Sequence, residues 1–264
     1  MKTLTFAITL LWVMTLSAQD WAKPRLEKSP RHLEWVKVKQ GDREVNCFLA
    51  FPERKDKATA VVVIHEIFGL TDWVRGVADQ LAEAGYIAIA PDLLSGMAPG
   101  GGGTAEQGGN DGARKVIGTL PPDQITADLQ AVVAYVSKLP ASNGKVAVGG
   151  FCWGGSQTFR FATNNREIRA AFPFYGSGPE LPEAIRRIQA PVYGFYGGHD
   201  ERVNASIPVS QNLMKAADKI YEPVTYEGAG HGFMRAGEAP DASAANREAR
   251  EKAWKRWKDL LGKL

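Results

Sequence analysis

Val-Ala-Val-Gly-Gly-Phe-Cys-Trp-Gly-Gly, residues 146–155, is the stretch that decides the fold of this 264-residue chain. An apolar run typical of a buried strand stops at glycines and gives way to a helical pattern. Cys152 stands in the turn between the two, with Gly150 and Gly154 on either side. A Cβ at either glycine would collide with the neighbouring strand or helix, so the spacing predicts a strained turn that presents the cysteine beyond the strand.

Outward from this turn, strands alternate with helices in both directions. An alternating pattern on both sides of Gly41-Asp42 predicts a hairpin at a sheet edge, and continuous β-branched runs predict buried strands. The predicted strands span residues 33–38, 44–51, 60–64, 86–90, 145–148, 170–175, 192–196 and 224–226. The predicted helices span residues 73–84, 125–139, 156–163, 182–188, 208–217 and about 242 to the end. This order predicts an α/β fold with a mostly parallel sheet and helices on both faces.

A glycine-rich segment, residues 95–112, interrupts the alternation. Because so much glycine costs backbone entropy and brings no side chain to bury, we expect no packed element here and interpret the segment as a mobile loop. A lid and a merely tolerated insertion both remain open. Since strands and helices resume on both sides, residues 19–264 are interpreted as one domain.

The two chain ends have amphipathic or apolar patterns of their own. Residues 1–18 combine Lys2, an apolar run at 4–16 and the small residues Ser17-Ala18, which predicts a cleaved signal peptide and a periplasmic or secreted protein. The alternative, a membrane anchor, needs about 20 apolar residues. The last helix carries Trp254 and Trp257 on its apolar side; docking on the sheet is favoured, with a membrane-surface helix as the alternative.

Composition excludes several classes of function. The chain has 32 Lys plus Arg against 29 Asp plus Glu, and the basic residues cluster only in the last helix, so we expect no nucleic-acid partner. Four histidines and two cysteines show no metal-ligand spacing. We therefore expect a small-molecule substrate, with no metal, no cofactor and no integral membrane segment after cleavage.

Cys152 has three possible roles: a nucleophile, an inert buried thiol, or a disulfide partner of Cys47 in an exported protein. Cys47 lies in the alternating N-terminal strand and is expected to face the core, so catalysis is favoured. The helix after the turn would point its positive end at Cys152, which favours the thiolate. The backbone N–H of Trp153 is then a candidate oxyanion-hole donor.

An acid and a histidine follow two later strands, at Asp200 and His231. The order nucleophile, acid, histidine is the order that the α/β-hydrolase arrangement requires. In it, the imidazole takes the thiol proton and returns it to the leaving group, while the acid fixes the tautomer. His199 is the competing histidine, but it adjoins the acid in sequence and would point away from it.

Glu66 and Ile67 follow the predicted central strand, where hydrolases place a second oxyanion donor. The Ile67 N–H is the candidate donor. An acid near a cysteine can accept its hydrogen bond or hold it in one rotamer, so Glu66 is a candidate catalytic residue. The alternative for Glu66 is a surface acid that caps the next helix.

Four motifs together resemble the dienelactone hydrolases, or carboxymethylenebutenolidases, over about residue 33 to the end. They are HEIFG at 65–69, GFCWGG at 150–155, GGHD at 197–200 and GAGHGF at 228–233. The resemblance implies an α/β-hydrolase fold and a Cys-His-Asp hydrolase that opens an unsaturated lactone. It also implies that Glu66 controls ionisation of the thiol and that Arg235 binds a substrate carboxylate. A second arginine of the family has only a positional counterpart, Arg114.

Three classes of function are consistent with these patterns. The first is a thiol hydrolase of small, anionic lactones or esters, with a general exported carboxylesterase of neutral substrates as its variant. The second is a binding protein that keeps the pocket without catalysis, and the third is a structural chain with a disulfide. The complete set of Cys152, Asp200 and His231 in working order favours the hydrolase.

Overall fold

The computed structural model describes residues 21–264, so the predicted signal peptide at residues 1–18 lies outside the described residues. The strands are β1 (Leu33–Gln40), β2 (Arg43–Ala50), β3 (Ala58–Ile64), β4 (Ile87–Pro91), β5 (Ser142–Phe151), β6 (Ala171–Phe174), β7 (Val192–Gly197) and β8 (Tyr221–Tyr226). They form one eight-stranded sheet in the order β1-β2-β4-β3-β5-β6-β7-β8. The hairpin β1–β2 is antiparallel and joins β4 in antiparallel fashion, whereas all other pairings are parallel. The predicted mostly parallel α/β fold is confirmed.

Helices cover both faces of this sheet. They are α1 (Ala22–Glu27), α2 (Asp72–Glu83), α3 (Asn110–Ile117), α4 (Pro122–Ser137), α5 (Trp153–Ala162), α6 (Pro182–Ile185), α7 (Glu201–Asn204), α8 (Ile207–Ala216), α9 (Phe233–Ala236) and α10 (Ala244–Leu261). All six predicted helices are present, and α1, α3, α7 and α9 were not predicted. Each of these four has eight residues or fewer. That is shorter than the roughly 11 residues over which an amphipathic pattern can be recognised.

Two apolar cores lie on opposite faces of the sheet, because neighbouring side chains of a strand point to opposite sides. In β3, Val62 and Ile64 face one core, with side chains from α4, whereas Val61 and Val63 face the other, with side chains from α2 and α10. Burial on both faces explains the continuous β-branched run in this strand.

The last helix, α10, packs directly beneath the predicted turn. Trp257 is fully buried and its ring lies 4.9 Å from that of Phe174 and 6.1 Å from that of Phe151. A Cβ at Gly149 would lie 2.7 Å from the indole, so this glycine makes room for it. Docking on the sheet is therefore confirmed over the membrane-surface alternative. Within residues 21–264, no helix combines the length and apolarity that crossing a membrane requires.

The glycine-rich segment contains packed structure, contrary to expectation. Helix α3 begins inside it and buries Ala113 and Ile117. Earlier in the segment, Thr104 donates its N–H and its hydroxyl to the two carboxylate oxygens of Asp92, each at 2.7 Å. The same hydroxyl accepts from Leu70 N at 2.9 Å. The prediction of no packed element is wrong because one threonine and one buried acid supply the anchoring that the glycines do not.

Candidate active site

The turn at Cys152 is a strained strand-to-helix elbow. Cys152 has φ 56° and ψ −115°, a left-handed conformation that is unfavourable for a residue with a Cβ, and α5 begins at the next residue. A Cβ on Gly150 would lie 2.3 Å from the carbonyl oxygen of Gly154. A Cβ on Gly154 would lie 2.4 Å from the carbonyl oxygen of His65. Both glycines are therefore required for the reason that the sequence predicted.

Cys152 and Cys47 are both free thiols. Cys47 is fully buried in β2, where burial raises the pKa of its thiol, whereas Cys152 is half-buried at the edge of the sheet. The disulfide alternative is wrong, because Cys47 faces the core. The description of an inert buried thiol fits Cys47 and does not fit Cys152.

Asp200 and His231 meet at the same edge. Asp200 follows β7 and is buried, and His231 follows β8. His231 Nδ1 lies 2.6 Å from Asp200 Oδ2. Because a carboxylate only accepts, Nδ1–H is the donor, and Nε2 is left for the thiol. His199 is exposed, and its side chain takes no part in this pair.

The electrostatics of His231 link it to both partners. Its pKa is raised to about 9, first by hydrogen bonding to Cys152 and then by Asp200, while burial acts in the opposite direction. The imidazole therefore tends to hold a proton beside the sulfur. An imidazole beside a thiol at an elbow is the arrangement that nucleophilic cysteine chemistry uses.

Two side chains that the sequence analysis missed hold the loop of His231 in place. Asn246 Oδ1 accepts from Gly230 N at 3.0 Å, next to the histidine. On the other side, the Glu238 carboxylate accepts from Arg25 Nη1 at 2.6 Å, from Trp73 Nε1 at 3.0 Å and from Gln80 Nε2 at 2.9 Å. These contacts fasten the segment that carries His231 and Arg235 to α1, α2 and α10. No local sequence motif predicts the contacts of Asn246 and Glu238.

Glu66 is buried in the same site. Its Oε2 accepts from Arg235 Nε at 2.8 Å. Burial raises the pKa of Glu66, and the charge and hydrogen bond of Arg235 oppose this rise. The helix-capping alternative is wrong, because α2 begins only at Asp72 and its N-cap, Thr71, precedes it directly. The structure brings Glu66 and Arg235 together, a contact that the sequence did not reveal.

Arg235 is thus already engaged with a protein carboxylate. It lies in α9, with its guanidinium 5.7 Å from the Phe68 ring centre. Burial disfavours its charge, but Glu66 raises its pKa overall. The positional counterpart of the family's second arginine, Arg114, is exposed on α3.

The two candidate oxyanion donors flank the elbow. Within the described part of the chain, the backbone N–H groups of Ile67 and Trp153 donate to no protein acceptor. Between them, His65 is buried and stacks on Trp153, with ring centres 5.6 Å apart. Leu93 N donates to His65 Nε2 at 3.3 Å, so Nδ1 carries the proton and donates to Glu66 O at 2.8 Å. A neutral histidine, whose pKa burial lowers, therefore fixes the loop that carries Glu66 and Ile67.

The site around Cys152 does not coincide with either of two sizeable cavities. A cavity of about 510 Å³ lies between β8 and α10, and one of about 380 Å³ lies beside Thr104. Neither is lined by Cys152, Asp200 or His231. Within residues 21–264, no cluster of three or more His, Cys, Asp or Glu side chains could hold a metal ion. The polar geometry at the elbow is what distinguishes the site.

A parallel sheet with a strained cysteine elbow and a hydrogen-bonded His–Asp pair at its carboxyl edge defines the α/β-hydrolase class. The model of the dienelactone hydrolase family matches residues 45–264. A relative from Salmonella typhimurium, provisionally named carboxymethylenebutenolidase, is 33% identical over 211 residues, which are 74% of each chain. One of the same provisional name from Escherichia coli K12 is 31% identical over 226 residues, 79% of each chain.

Solved structures agree on the fold. The crystal structure of a Klebsiella pneumoniae protein provisionally named dienelactone hydrolase superposes with a TM-score of 0.77 at 24% identity. The match covers 89% of this chain and 99% of that one. The chain therefore belongs to the dienelactone hydrolase family and is a hydrolase of carboxylic esters or lactones.

Proposed function

We propose that the chain hydrolyses a small lactone or carboxylic ester through a Cys152-His231-Asp200 triad and a thioacyl intermediate. The observation that carries this proposal is the 2.6 Å His231–Asp200 bond beside a cysteine held at a positive φ. A structural histidine or an inert thiol would require neither the oriented imidazole nor the strained backbone.

In the first half of the reaction, the thiol proton passes from Cys152 Sγ to His231 Nε2. The sulfur then bonds to the substrate carbonyl carbon, and the carbonyl electron pair moves to its oxygen. The N–H groups of Ile67 and Trp153 stabilise this oxyanion. As the carbonyl re-forms, the carbon–oxygen bond to the leaving group breaks, and His231 gives that oxygen its proton. In a lactone, the leaving group stays attached as the other end of the opened ring.

In the second half, water attacks the thioester carbon while His231 Nε2 takes one proton from it. The tetrahedral intermediate collapses, the carbon–sulfur bond breaks, and the proton returns to the sulfur. Asp200 remains ionised and holds the Nδ1–H throughout. The products are a carboxylic acid and the free enzyme.

Glu66 and Arg235 connect this chemistry to substrate charge. A substrate carboxylate competes with Glu66 for the Arg235 guanidinium, which can bind it through two parallel hydrogen bonds. When Glu66 loses that partner, burial favours its protonated form. Protonation of Glu66 removes a negative charge from beside the sulfur, so an anionic substrate favours transfer of the thiol proton to His231.

A second candidate function is hydrolysis of neutral esters. The observation that favours it is that Arg235 is occupied by Glu66 in the described geometry. A neutral substrate would leave that pair undisturbed and would rely on the His231 side of the site alone.

A hydrolysis screen tests both candidates. Matched esters and lactones with and without a carboxylate are compared for the wild type, for Cys152→Ala and for Cys47→Ala, which removes the other thiol of the chain. We expect turnover to be lost only in Cys152→Ala. Full activity of Cys152→Ala would exclude the thioacyl mechanism, and a preference for carboxylate-bearing substrates would select the first candidate.

We also propose that the protein is exported, because residues 1–18 have the pattern of a signal peptide. Mass spectrometry of the protein from its native host is expected to place the mature N-terminus near Gln19. A mature pool that retains Met1 or Lys2 would contradict export by cleavage.

A further inference from the structure

Tyr175 occupies the position next to the nucleophile at the edge of the sheet. Strands β5 and β6 pair in parallel with Phe151 opposite Phe174. Cys152 is the first residue beyond β5, and Tyr175 is the first residue beyond β6. The Cys152 N–H donates to Phe174 O at 3.0 Å, which fixes the two chain segments side by side. The topology therefore places a tyrosine directly beside the elbow.

The backbone of Tyr175 is strained in the same sense as that of Cys152. Its φ is 39°, and within residues 21–264 only Cys152 and Asp218 share a positive φ among residues other than glycine. A glycine would adopt this conformation more easily. Tyr175 N donates to Phe195 O at 2.7 Å, so the strained segment is held by the neighbouring strand. Strained residues that persist beside a reactive group indicate that the direction of the side chain matters.

The side chain of Tyr175 is fully buried in the site. Its ring meets those of His231 and Phe233 edge-on, with centres 5.1 Å and 5.4 Å apart. Within the described residues, its hydroxyl has no hydrogen-bond partner. A buried hydroxyl without a partner is unfavourable, so an acceptor that arrives during the reaction would satisfy it.

The charges around this hydroxyl show what it can do. Burial raises the pKa of Tyr175 well above its usual value, Glu66 and Cys152 raise it further, and Arg235 opposes them. The hydroxyl therefore keeps its proton and acts as a donor. Glu66 Oε2 already accepts from Arg235, and the histidine Nδ1 is bonded to Asp200. When the thiol ionises, the sulfur gains a negative charge while Glu66, in the proposed function, becomes neutral, so the sulfur is the anionic acceptor that remains.

We propose that Tyr175 is a further catalytic residue, whose hydroxyl donates a hydrogen bond to the thiolate of Cys152. Rotation of the cysteine side chain about its Cα–Cβ bond is the movement that brings the sulfur to the hydroxyl. The bond stabilises the anion before attack and is released when the sulfur bonds to the acyl carbon. The proton stays on the tyrosine oxygen throughout. This proposal rests on the proposed function, in that Cys152 is the nucleophile.

Tyr175→Phe tests the proposal, because it removes only the hydroxyl and keeps the ring against His231. Alkylation of Cys152 by iodoacetamide is followed by peptide mass spectrometry from about pH 5 to pH 9, where thiols beside histidines titrate. At about pH 7 we expect alkylation to be roughly tenfold slower, as the loss of a hydrogen bond to a charged group predicts, and the pH–rate curve to move to higher pH. The kcat/KM values for neutral and for carboxylate-bearing esters should fall by one common factor.

Tyr226→Phe is the matched control. Tyr226 is also buried and its ring lies 5.3 Å from that of Phe233, but its charged neighbour is Arg256. Alkylation and hydrolysis should match the wild type in this variant. The Tyr175 hydroxyl has no partner among the described residues, so the melting temperature of Tyr175→Phe should not fall below that of the wild type.

Two results would overturn the proposal. Alkylation of Tyr175→Phe at the wild-type rate would show that the hydroxyl does not reach the sulfur. Faster alkylation at low pH would show that the hydroxyl instead stabilises ionised Glu66 and so opposes proton transfer from the thiol. Alkylation requires no substrate, so its result does not depend on whether the chain hydrolyses esters. The triad itself is tested separately, because hydrolysis that persists in Cys152→Ala would refute it.

Discussion

Two hydrogen-bonded pairs that look alike lie near Cys152, and they differ in how they respond to charge. In one, His231 and Asp200 are joined at 2.6 Å; in the other, Arg235 and Glu66 are joined at 2.8 Å. In each pair the carboxylate is the more buried partner, with exposed fractions of 5% for Asp200 and 3% for Glu66. The cationic partners are more open, at 35% for His231 and 24% for Arg235.

The difference lies in what each pair does to a proton. The pKa of His231 is raised by Cys152 and Asp200, which favours a proton on the imidazole beside the sulfur. Burial raises the pKa of Glu66, and Arg235 is the partner that opposes it. An anion that competes for Arg235 therefore acts on the second pair, and it reaches the first only through the charge interaction between Glu66 and His231. In the proposed function, the first pair handles the proton of Cys152 and the second responds to substrate charge.

The largest effect is expected from breaking the first pair. His231→Ala and Cys152→Ala should each lower kcat/KM by roughly a thousandfold or more on every substrate, because both act in one proton-transfer unit. The double variant should be hardly worse than either single one. Steady-state hydrolysis measures this, with His199→Ala as the control at the exposed neighbouring histidine. Additive losses would show that the residues do not act as a unit.

A smaller and selective effect is expected from breaking the second pair. Arg235→Ala should reduce kcat/KM for carboxylate-bearing lactones by about 10- to 100-fold, the loss of a charge-assisted bond. It should not lower kcat/KM for neutral esters, because Glu66 without its partner favours the thiolate. Arg235→Lys should restore only part of the kcat/KM for carboxylate-bearing lactones, since an ammonium cannot make two parallel hydrogen bonds to a carboxylate. Arg114→Ala, on the exposed face of α3, is the matched control.

Equal losses on charged and neutral esters in Arg235→Ala would contradict this division of roles. They would show that Arg235 supports the position of His231 or of Glu66 for every substrate. The neutral-ester function would then be the better description of the chain.

The two pairs also differ in how far the sequence predicted them. Asp200 and His231 each follow a strand directly, and parallel strands bring their carboxyl ends to one edge, so the pairing follows from the order of the motifs. Glu66 and Arg235 were each singled out, but their contact spans 169 positions and depends on α9, a helix too short to predict. Polar contacts between distant loops have no periodic signal in a sequence.

The same limit explains the other differences between expectation and structure. The strands and long helices were predictable because burial imposes a period on many residues at once. The anchoring of the glycine-rich segment depends on Thr104 and Asp92 alone, and that of the His231 loop on Asn246 and Glu238. Single polar residues at long range are visible only once the fold brings them together.

The pH dependence of activity sharpens the account of the first pair. His231 must carry a proton to give to the leaving group, and its pKa is about 9. The kcat/KM for a neutral ester should therefore stay high through neutral pH and fall severalfold as the pH rises through about 9. Arg235→Ala should keep this alkaline limb on neutral esters, because the second pair does not set it. If kcat/KM instead fell near pH 6.5, the ordinary pKa of a histidine, Cys152 and Asp200 would not raise the pKa of His231.

The smallest effect concerns stability. A histidine whose folded pKa, about 9, exceeds its unfolded value, about 6.5, binds more protons in the native state between these values. Its contribution to the free energy of unfolding is therefore fully present below about pH 6.5 and is lost as the pH rises through about 9. Because the imidazole is 35% exposed, solvent screening reduces this contribution to the order of 1 kcal/mol. Urea unfolding at both pH values should show a loss of this size in the wild type and a smaller one in His231→Gln, whose side chain does not titrate. The same loss in both proteins would assign the pH dependence to other groups. The raised pKa of His231 would then not contribute measurably to the free energy of unfolding.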